Sequence, residues 1–560
     1  MRSASIVKPP AIGGHEPVSN VQTDEIHTAV VIVGGGPVGL CLANELGYQG
    51  VDYILLEQGE GRVYFPAGEN FFSRTMEHLR RWGIADDFRR GNEFPSEMPR
   101  NIGFCTHIGG KPLAFFSGTS NAGAPREDPY SPEGGFFYPK KGFDPALRQA
   151  AEAKGGDLRY RTRLLSFSED EVTGTITCVV EDASKGQYQI RCRWLAGCDG
   201  ARSGVRKALD IHYNGTFGDG FNFAVYLKCP GLGNILNEMF EHPMAQVHTL
   251  FDERRAYLTS VDGRDEWRLS IYTEKIDDQV PEDVVRSVIG DDLAFEVLQA
   301  QPWAGHRVVA EHYRKGRVFL AGDAVHLRWP KGGFGANTGI GDAVDLGWKI
   351  AAVENGWAPV RLLDTYETER RPIAIRNTNE AANNRVLDHM IQPDPVLDED
   401  TPAGEAARLS MNERLFALRL REFVTPGIQL GYRYRNSPII VPDGTLEGPD
   451  DHMVYIPTTR PGARAPHVDL GGGTSILDDF GSGYTLVVTD PEIETESFLE
   501  AGRTLGIPVT EKRFADDSVR RGYEIALVLV RPDGHVCWRG EAPPEDADAV
   551  WEVVSGRRLQ

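Results

Sequence analysis

The stretch HTAVVIVGGGPVGLCLANELGYQGVDYILLEQG, from His27 to Gly59, leaves few folds open. Ala29 to Val33 is an unbroken apolar run, the pattern of a strand buried on both faces. Leu40, Ala43, Leu46 and Gly47 then recur at helical spacing. DYILLEQ reads as a second buried strand that ends in Glu57. Strand, tight turn, helix and strand in this order open a Rossmann-like α/β domain.

The turn carries Gly34-x-Gly36-x-x-Gly39, with Pro37 at the start of the helix. Glycines at this spacing permit a tight turn, close approach of backbone to a pyrophosphate, and close helix–strand packing. Glu57, about 20 residues on, stands where an acid accepts hydrogen bonds from an adenosine ribose. The pattern points to an ADP-bearing cofactor.

Two further turns follow apolar strands. WLAGCDGARSGVRKAL supplies Asp199, Gly200, Ser203 and Arg206. GRVFLAGDAVHLRWPKGGFGANTGIGDAVDLGWK, beginning at Gly316, supplies Gly322 and Asp323 and then a second glycine-rich run into a helix. A single dinucleotide loop does not require this second one. Asp323 can accept hydrogen bonds from a polyol chain, and Gly332 to Asn337 can aim backbone N–H groups at an anionic edge. Both loops are therefore expected to hold one long cofactor from opposite ends.

Taken together the three patterns resemble the group A flavoprotein monooxygenases, the para-hydroxybenzoate hydroxylase-like family. The resemblance implies FAD held by Gly34, Gly36, Pro37, Gly39, Glu57, Arg74, Asp199, Arg206, Gly322, Asp323, Pro330, Gly335, Ala336 and Asn337. It implies NADPH or NADH as a transient co-substrate. The implied reaction is hydroxylation of a phenolic or polycyclic aromatic compound by O2 through a flavin C4a-hydroperoxide, in secondary metabolism. Baeyer–Villiger, epoxidising or dehalogenating chemistry, and a non-catalytic flavin-binding accessory role, are the alternatives. Pro330, Gly332 and Gly333 would flank the reactive edge of the flavin. Pro66 stands where relatives commonly carry Arg or Lys, whereas Arg74 is retained.

No acid–base residue stands out. His326 can assist proton movement or make a structural hydrogen bond to nearby backbone. Tyr257, Trp267, Tyr272 and Trp329 can line an aromatic pocket or pack in a core.

At 560 residues, two or three domains are expected. Residues 1–27 read as a flexible leader, 28–212 with 305–390 as a discontinuous FAD-binding domain, and 213–304 as a substrate-binding sheet domain. A helical connection at 391–450 leads to a tail, 451–560, that resembles the thioredoxin-like domain of phenol and polyketide hydroxylases. Cys537 is the only cysteine in that tail, so a structural or dimer-supporting role fits it better than redox chemistry. The net charge of −21 argues against nucleic acid and anionic membrane surfaces as partners. No run approaches the roughly 18 apolar residues of a membrane span. Seven cysteines without CxxC or zinc spacing suggest reduced core thiols, no metal, and a cytoplasmic protein. A homodimer is compatible with this reading.

Overall fold

In the computed structural model the described residues are 26–559, apart from 67, 69, 93, 96–97, 118–127, 251–254 and 275–278. The leader expected at 1–27 therefore lies almost wholly outside them.

The apolar runs form the centre of a parallel sheet. Its strands lie in the order Val318–Leu320, Gly186–Gly197, Ile26–Val33, Tyr53–Glu57 and Asp157–Tyr160. Val30, Val31 and Ile32 are fully buried, as a strand covered on both faces requires. The chain leaves Val33 toward Tyr53–Glu57 on one side and returns to Gly186–Gly197 on the other, so the order reverses beside the first glycine turn. In open α/β sheets the ligand crevice forms at such a reversal, at the carboxyl ends of the strands. An antiparallel flap, Thr162–Asp170 and Thr175–Asp182, continues onto Gly186–Gly197.

A second sheet of eight strands stands beside it, in the order His326–Leu327, Glu296–Ala310, Tyr213–Lys228, Glu266–Thr273, Ala256–Ser260, Gln246–Thr249, Ile102–Cys105 and Pro112–Phe116. It is wider than residues 213–304. Ile102–Cys105 pairs in parallel with Gln246–Thr249, so an early segment covers an edge that would otherwise expose unpaired backbone.

After the long helices Phe334–Glu354, Thr365–His389 and Pro402–Phe423 comes a four-stranded sheet. Its order is Val509–Arg513, Tyr484–Val488, Leu527–Val530, Val536–Gly540, the first pair parallel and the others antiparallel. With helix Glu496–Thr504 between its first two strands and Ala547–Val554 at its end, this is a thioredoxin-like topology. Trp348 and Trp357 of the first domain pack into one cluster with Tyr484, Phe498 and Trp551 of the tail. Among the described residues no helix is long and apolar enough to cross a membrane.

Candidate active site

The motifs that are far apart in sequence meet at the carboxyl edge of the parallel sheet. Val33 lies opposite Leu56 on one side and Gly197 on the other, and Gly197 lies opposite Leu320. Gly34, Glu57, Asp199 and Gly322 therefore follow four neighbouring strands. Gly34 adopts φ +111°, and a Cβ there would fall 2.4 Å from the Cys198 carbonyl oxygen. A Cβ on Gly39 would fall 2.0 Å from the Gly34 oxygen, which allows the helix to sit close beneath the turn. Gly36 differs: a Cβ there meets nothing within 4 Å. Its backbone faces the crevice, at the uncapped N-terminus of helix Pro37–Tyr48, where free N–H groups attract an anion.

Glu57 buttresses the turn, one carboxylate oxygen accepting from Gly35 N at 2.8 Å and the other from Gly59 N at 2.6 Å. Asp199 caps the short helix Gly204–Ala208 through Oδ2, which accepts from Gly204 N at 2.7 Å and Val205 N at 3.1 Å. Its Oδ1 is buried without a protein partner. Asp323 is exposed at the same edge. A backbone open at Gly36, an orphaned acceptor on Asp199 and a solvent-facing Asp323 fit a dinucleotide with a hydroxylated chain. Arg206 faces elsewhere: Nη1 donates to the Ile211 carbonyl at 2.8 Å, and the guanidinium lies 4.0 Å from the Tyr213 ring.

The second glycine run enters helix Phe334–Glu354 through two successive left-handed residues, Gly332 at φ +79° and Gly333 at φ +72°. That helix has no side-chain cap, and a Cβ at Gly335 would meet nothing within 4 Å. Pro330 is exposed beside it. Asn337, one turn in, is committed to protein. Its Oδ1 accepts from Phe72 N and Thr75 Oγ1, and its Nδ2 donates to the Asn70 and Gly333 carbonyls. It thus ties the loop to the start of helix Ser73–Arg81. Arg74 on that helix pairs with Glu77 at 2.8 Å and donates to the Asp533 carbonyl of the tail. Pro66 is buried, and Arg268 of the second sheet donates to its carbonyl at 3.3 Å.

His326 is fully buried, and its partner is a side chain rather than backbone: Nε2 lies 2.8 Å from Asp342 Oδ2. Burial, followed by the nearby Arg328, lowers its pKa. It is therefore the neutral ring that donates to Asp342. Burial alone would raise Asp342, but His326 and Arg370 hold it below its ordinary value.

Strand alternation separates the four aromatic candidates. Along Glu266–Thr273, Trp267, Leu269 and Ile271 face a hydrophobic cluster that includes Leu227 and Val284. Tyr272 faces the opposite way, where it and Trp303 pack against Trp329, Phe72 and Phe334. Tyr257, directly across from Ser270, lies on the Tyr272 side. The structure thus gathers Tyr257, Tyr272 and Trp329 and leaves Trp267 behind the sheet.

Sequence reading missed a buried charged cluster on this face. Lys331 Nζ lies 3.0 Å from Asp388 Oδ2 and 3.8 Å from Glu422. Asp388 also pairs with Arg419 and accepts from the Tyr272 hydroxyl at 3.0 Å. Burial would raise the Asp388 carboxyl, but Arg419 and Lys331 hold it well below its ordinary range. Burial pushes Tyr272 up to about 12, so it stays a donor. His248 stacks on Phe104 at 4.7 Å, and burial, with Arg419 and Lys331 nearby, keeps it neutral. Lys331 lies inside the glycine run, but Asp388, Arg419 and Glu422 come from two helices with no local signature.

Comparison with known proteins agrees with this geometry. Residues 27–381 match the family model "FAD binding domain", and residues 458–557 match "Aromatic-ring hydroxylase, C-terminal". The chain is 31% identical to 4-methyl-5-nitrocatechol 5-monooxygenase of Burkholderia sp., over 94% of this chain and 96% of that one. It is 30% identical to aklavinone 12-hydroxylase RdmE of Streptomyces purpurascens, over 95% and 98%. Among solved structures, K252c-soaked RebC superposes with a TM-score of 0.87 at 34% identity, covering 96% of this chain and 100% of that one. These relatives favour the hydroxylase reading over the alternatives. The chain belongs to the group A aromatic hydroxylases, with an FAD-binding domain followed by the aromatic-ring hydroxylase C-terminal domain.

Proposed function

We propose that this FAD-dependent monooxygenase hydroxylates a phenolic or polycyclic aromatic compound, consuming NADH or NADPH and O2. The observation that carries the reading is the meeting of the three glycine-bearing turns at one sheet edge, beside a face lined by Tyr257, Tyr272 and Trp329. The assignments follow from that edge. Gly36, at the open start of helix Pro37–Tyr48, would receive the pyrophosphate, with Gly34 and Gly39 letting the turn and helix close beneath it. Glu57 would hold the adenosine ribose, and Asp199 and Asp323 the hydroxylated linker. Gly332, Gly333, Gly335 and Ala336 present backbone N–H groups to the ring system, with Pro330 at its edge.

Bound FAD supplies the redox chemistry, taking a hydride from the nicotinamide and activating O2. The chain's own part is positioning and shielding. The uncapped start of helix Phe334–Glu354 offers partial positive charge where negative charge gathers on reduction. Trp303, Trp329 and Tyr272 keep water from the aromatic face. The Tyr272 hydroxyl, fixed by Asp388, is a donor able to orient a phenolic oxygen. The buried, unpaired state of all seven cysteines supports a reducing, cytoplasmic setting.

The test is NADH and NADPH oxidation by purified protein, anaerobically and in air, with phenols, naphthoquinols and polyketide aromatics. Substrate-stimulated flavin reduction and a product one oxygen atom heavier are expected. A protein that holds no flavin, or oxidises nicotinamide without ever inserting oxygen, overturns the reading.

A further inference from the structure

Around Tyr272, among the described residues, three side chains carry buried polar atoms without partners. Arg385, on helix Thr365–His389, lies between two rings, its guanidinium 4.0 Å from Tyr272 and 4.6 Å from Trp329. Its Nε and Nη1 are buried and donate to no protein acceptor. Asn222 stands directly across the sheet from Tyr272, fully buried, with both amide atoms unsatisfied. Asn384, the neighbour of Arg385, is likewise buried and unsatisfied at both ends. An unmade hydrogen bond on a buried polar group is costly, so a cluster of them marks a place where a bound molecule can supply the missing atoms.

The charge balance says which atoms. Lys331, Arg419 and Arg255 surround Asp388, with Glu422 as the second carboxylate. His248, buried, and His389, half-covered and beside Arg385 and Arg255, are both held neutral. Arg255 already donates to the Asp388 and Ile391 carbonyls, and Lys331 and Arg419 have carboxylate partners. Arg385 has none. Among the described residues the cluster thus carries four cations against two carboxylates, in a chain whose net charge is −21.

We propose that Arg385, with Asn222 opposite, binds an anionic carboxylate on the aromatic substrate. The guanidinium donates to the carboxylate from its Nη1 end, and Asn222 contacts the substrate with its amide. The two rings that grip Arg385 hold it flat and shield the pair from water, which strengthens a charge-assisted bond. The proposal rests on the aromatic hydroxylase reading and narrows it to acidic aromatics.

The probes are 3-hydroxy-2-naphthoic acid and its methyl ester, titrated into the FAD-loaded enzyme and followed by flavin absorbance. Wild type is expected to bind the acid about 10- to 100-fold more tightly than the ester, the range of a desolvated charged hydrogen bond. Arg385→Met removes that preference by weakening acid binding while ester binding changes little. Arg385→Lys restores part of it. Equal affinity for acid and ester in wild type, an unchanged ratio in Arg385→Met, or no binding of either at millimolar concentration overturns the proposal. Flavin content and nicotinamide oxidation, measured on the same samples, report separately on whether the monooxygenase reading itself holds.

Discussion

Val38, in the helix that follows the first glycine turn, packs against Gly322 of the third motif, nearly 300 residues later. A Cβ on Gly322 would lie 2.7 Å from a Val38 methyl carbon. Gly322 sits at φ +64°, and a Cβ on Gly339 of helix Phe334–Glu354 would lie 3.0 Å from Gly322 Cα. Two helix starts therefore converge on one bare backbone position, and this contact makes a single crevice from two separate loops.

The glycines should separate into two kinds. Gly36→Ala adds a Cβ in open space, so the flavin-free protein keeps its Tm while FAD affinity falls. Gly39→Ala and Gly322→Ala force contact with backbone or with Val38 and destabilise the flavin-free protein by about 1–3 kcal/mol. Thermal melts of flavin-free protein, set beside FAD titrations, check this. Equal losses of Tm in all three variants would contradict it.

The tail grips the FAD-binding domain through Glu77. This carboxylate is held down to about 2 although burial opposes ionisation, because Arg464 and Arg74 flank it. Glu77→Gln leaves those two guanidinium groups buried without their shared carboxylate, at a cost of about 3–5 kcal/mol. Chemical denaturation should show the loss. Limited proteolysis should then release the tail earlier than in wild type.

Acid should weaken the fold in two stages. His535 is lowered from 6.5 to about 4, chiefly by burial, so the unfolded chain takes up this proton first as pH falls. Its contribution is complete above 6.5 and is lost between there and about 4. Glu77, lowered from 4.5 to about 2, contributes fully above 4.5 and loses that contribution as pH falls toward 2. Denaturation midpoints across this range should decline in that order, and His535→Gln should reduce the upper stage without abolishing it, because His248, His326 and His389 are lowered as well.

The two faces of the second sheet should respond differently to mutation. Trp267→Ala empties a packed cluster and costs about 3–5 kcal/mol, with the preference among aromatic substrates unchanged. Asp388→Asn removes the carboxylate shared by Lys331, Arg419 and Tyr272. There kcat/KM for the aromatic substrate should fall about 10- to 100-fold through misplacement, while FAD binding persists. Steady-state kinetics and flavin titration distinguish the two effects.

The sequence by itself determined the βαβ opening, the glycine turns and the family, because each is local: a strand, a tight turn and a helix start impose their residues within a few positions. The tail's thioredoxin-like character was legible only through its resemblance to phenol and polyketide hydroxylases. Only the tertiary structure decided which aromatic side chains share a face, since a one-residue change of parity sends Trp267 behind the sheet and Tyr272 in front of it. It also decided that Asn337 spends its whole amide on protein partners, and that Arg74 and His326 each spend part of their hydrogen-bonding capacity there. The cluster of Lys331, Asp388, Arg419 and Arg385 had no signature in the chain. Buried charges are stable only when partners from distant elements meet them, and which elements meet is fixed by packing rather than by spacing.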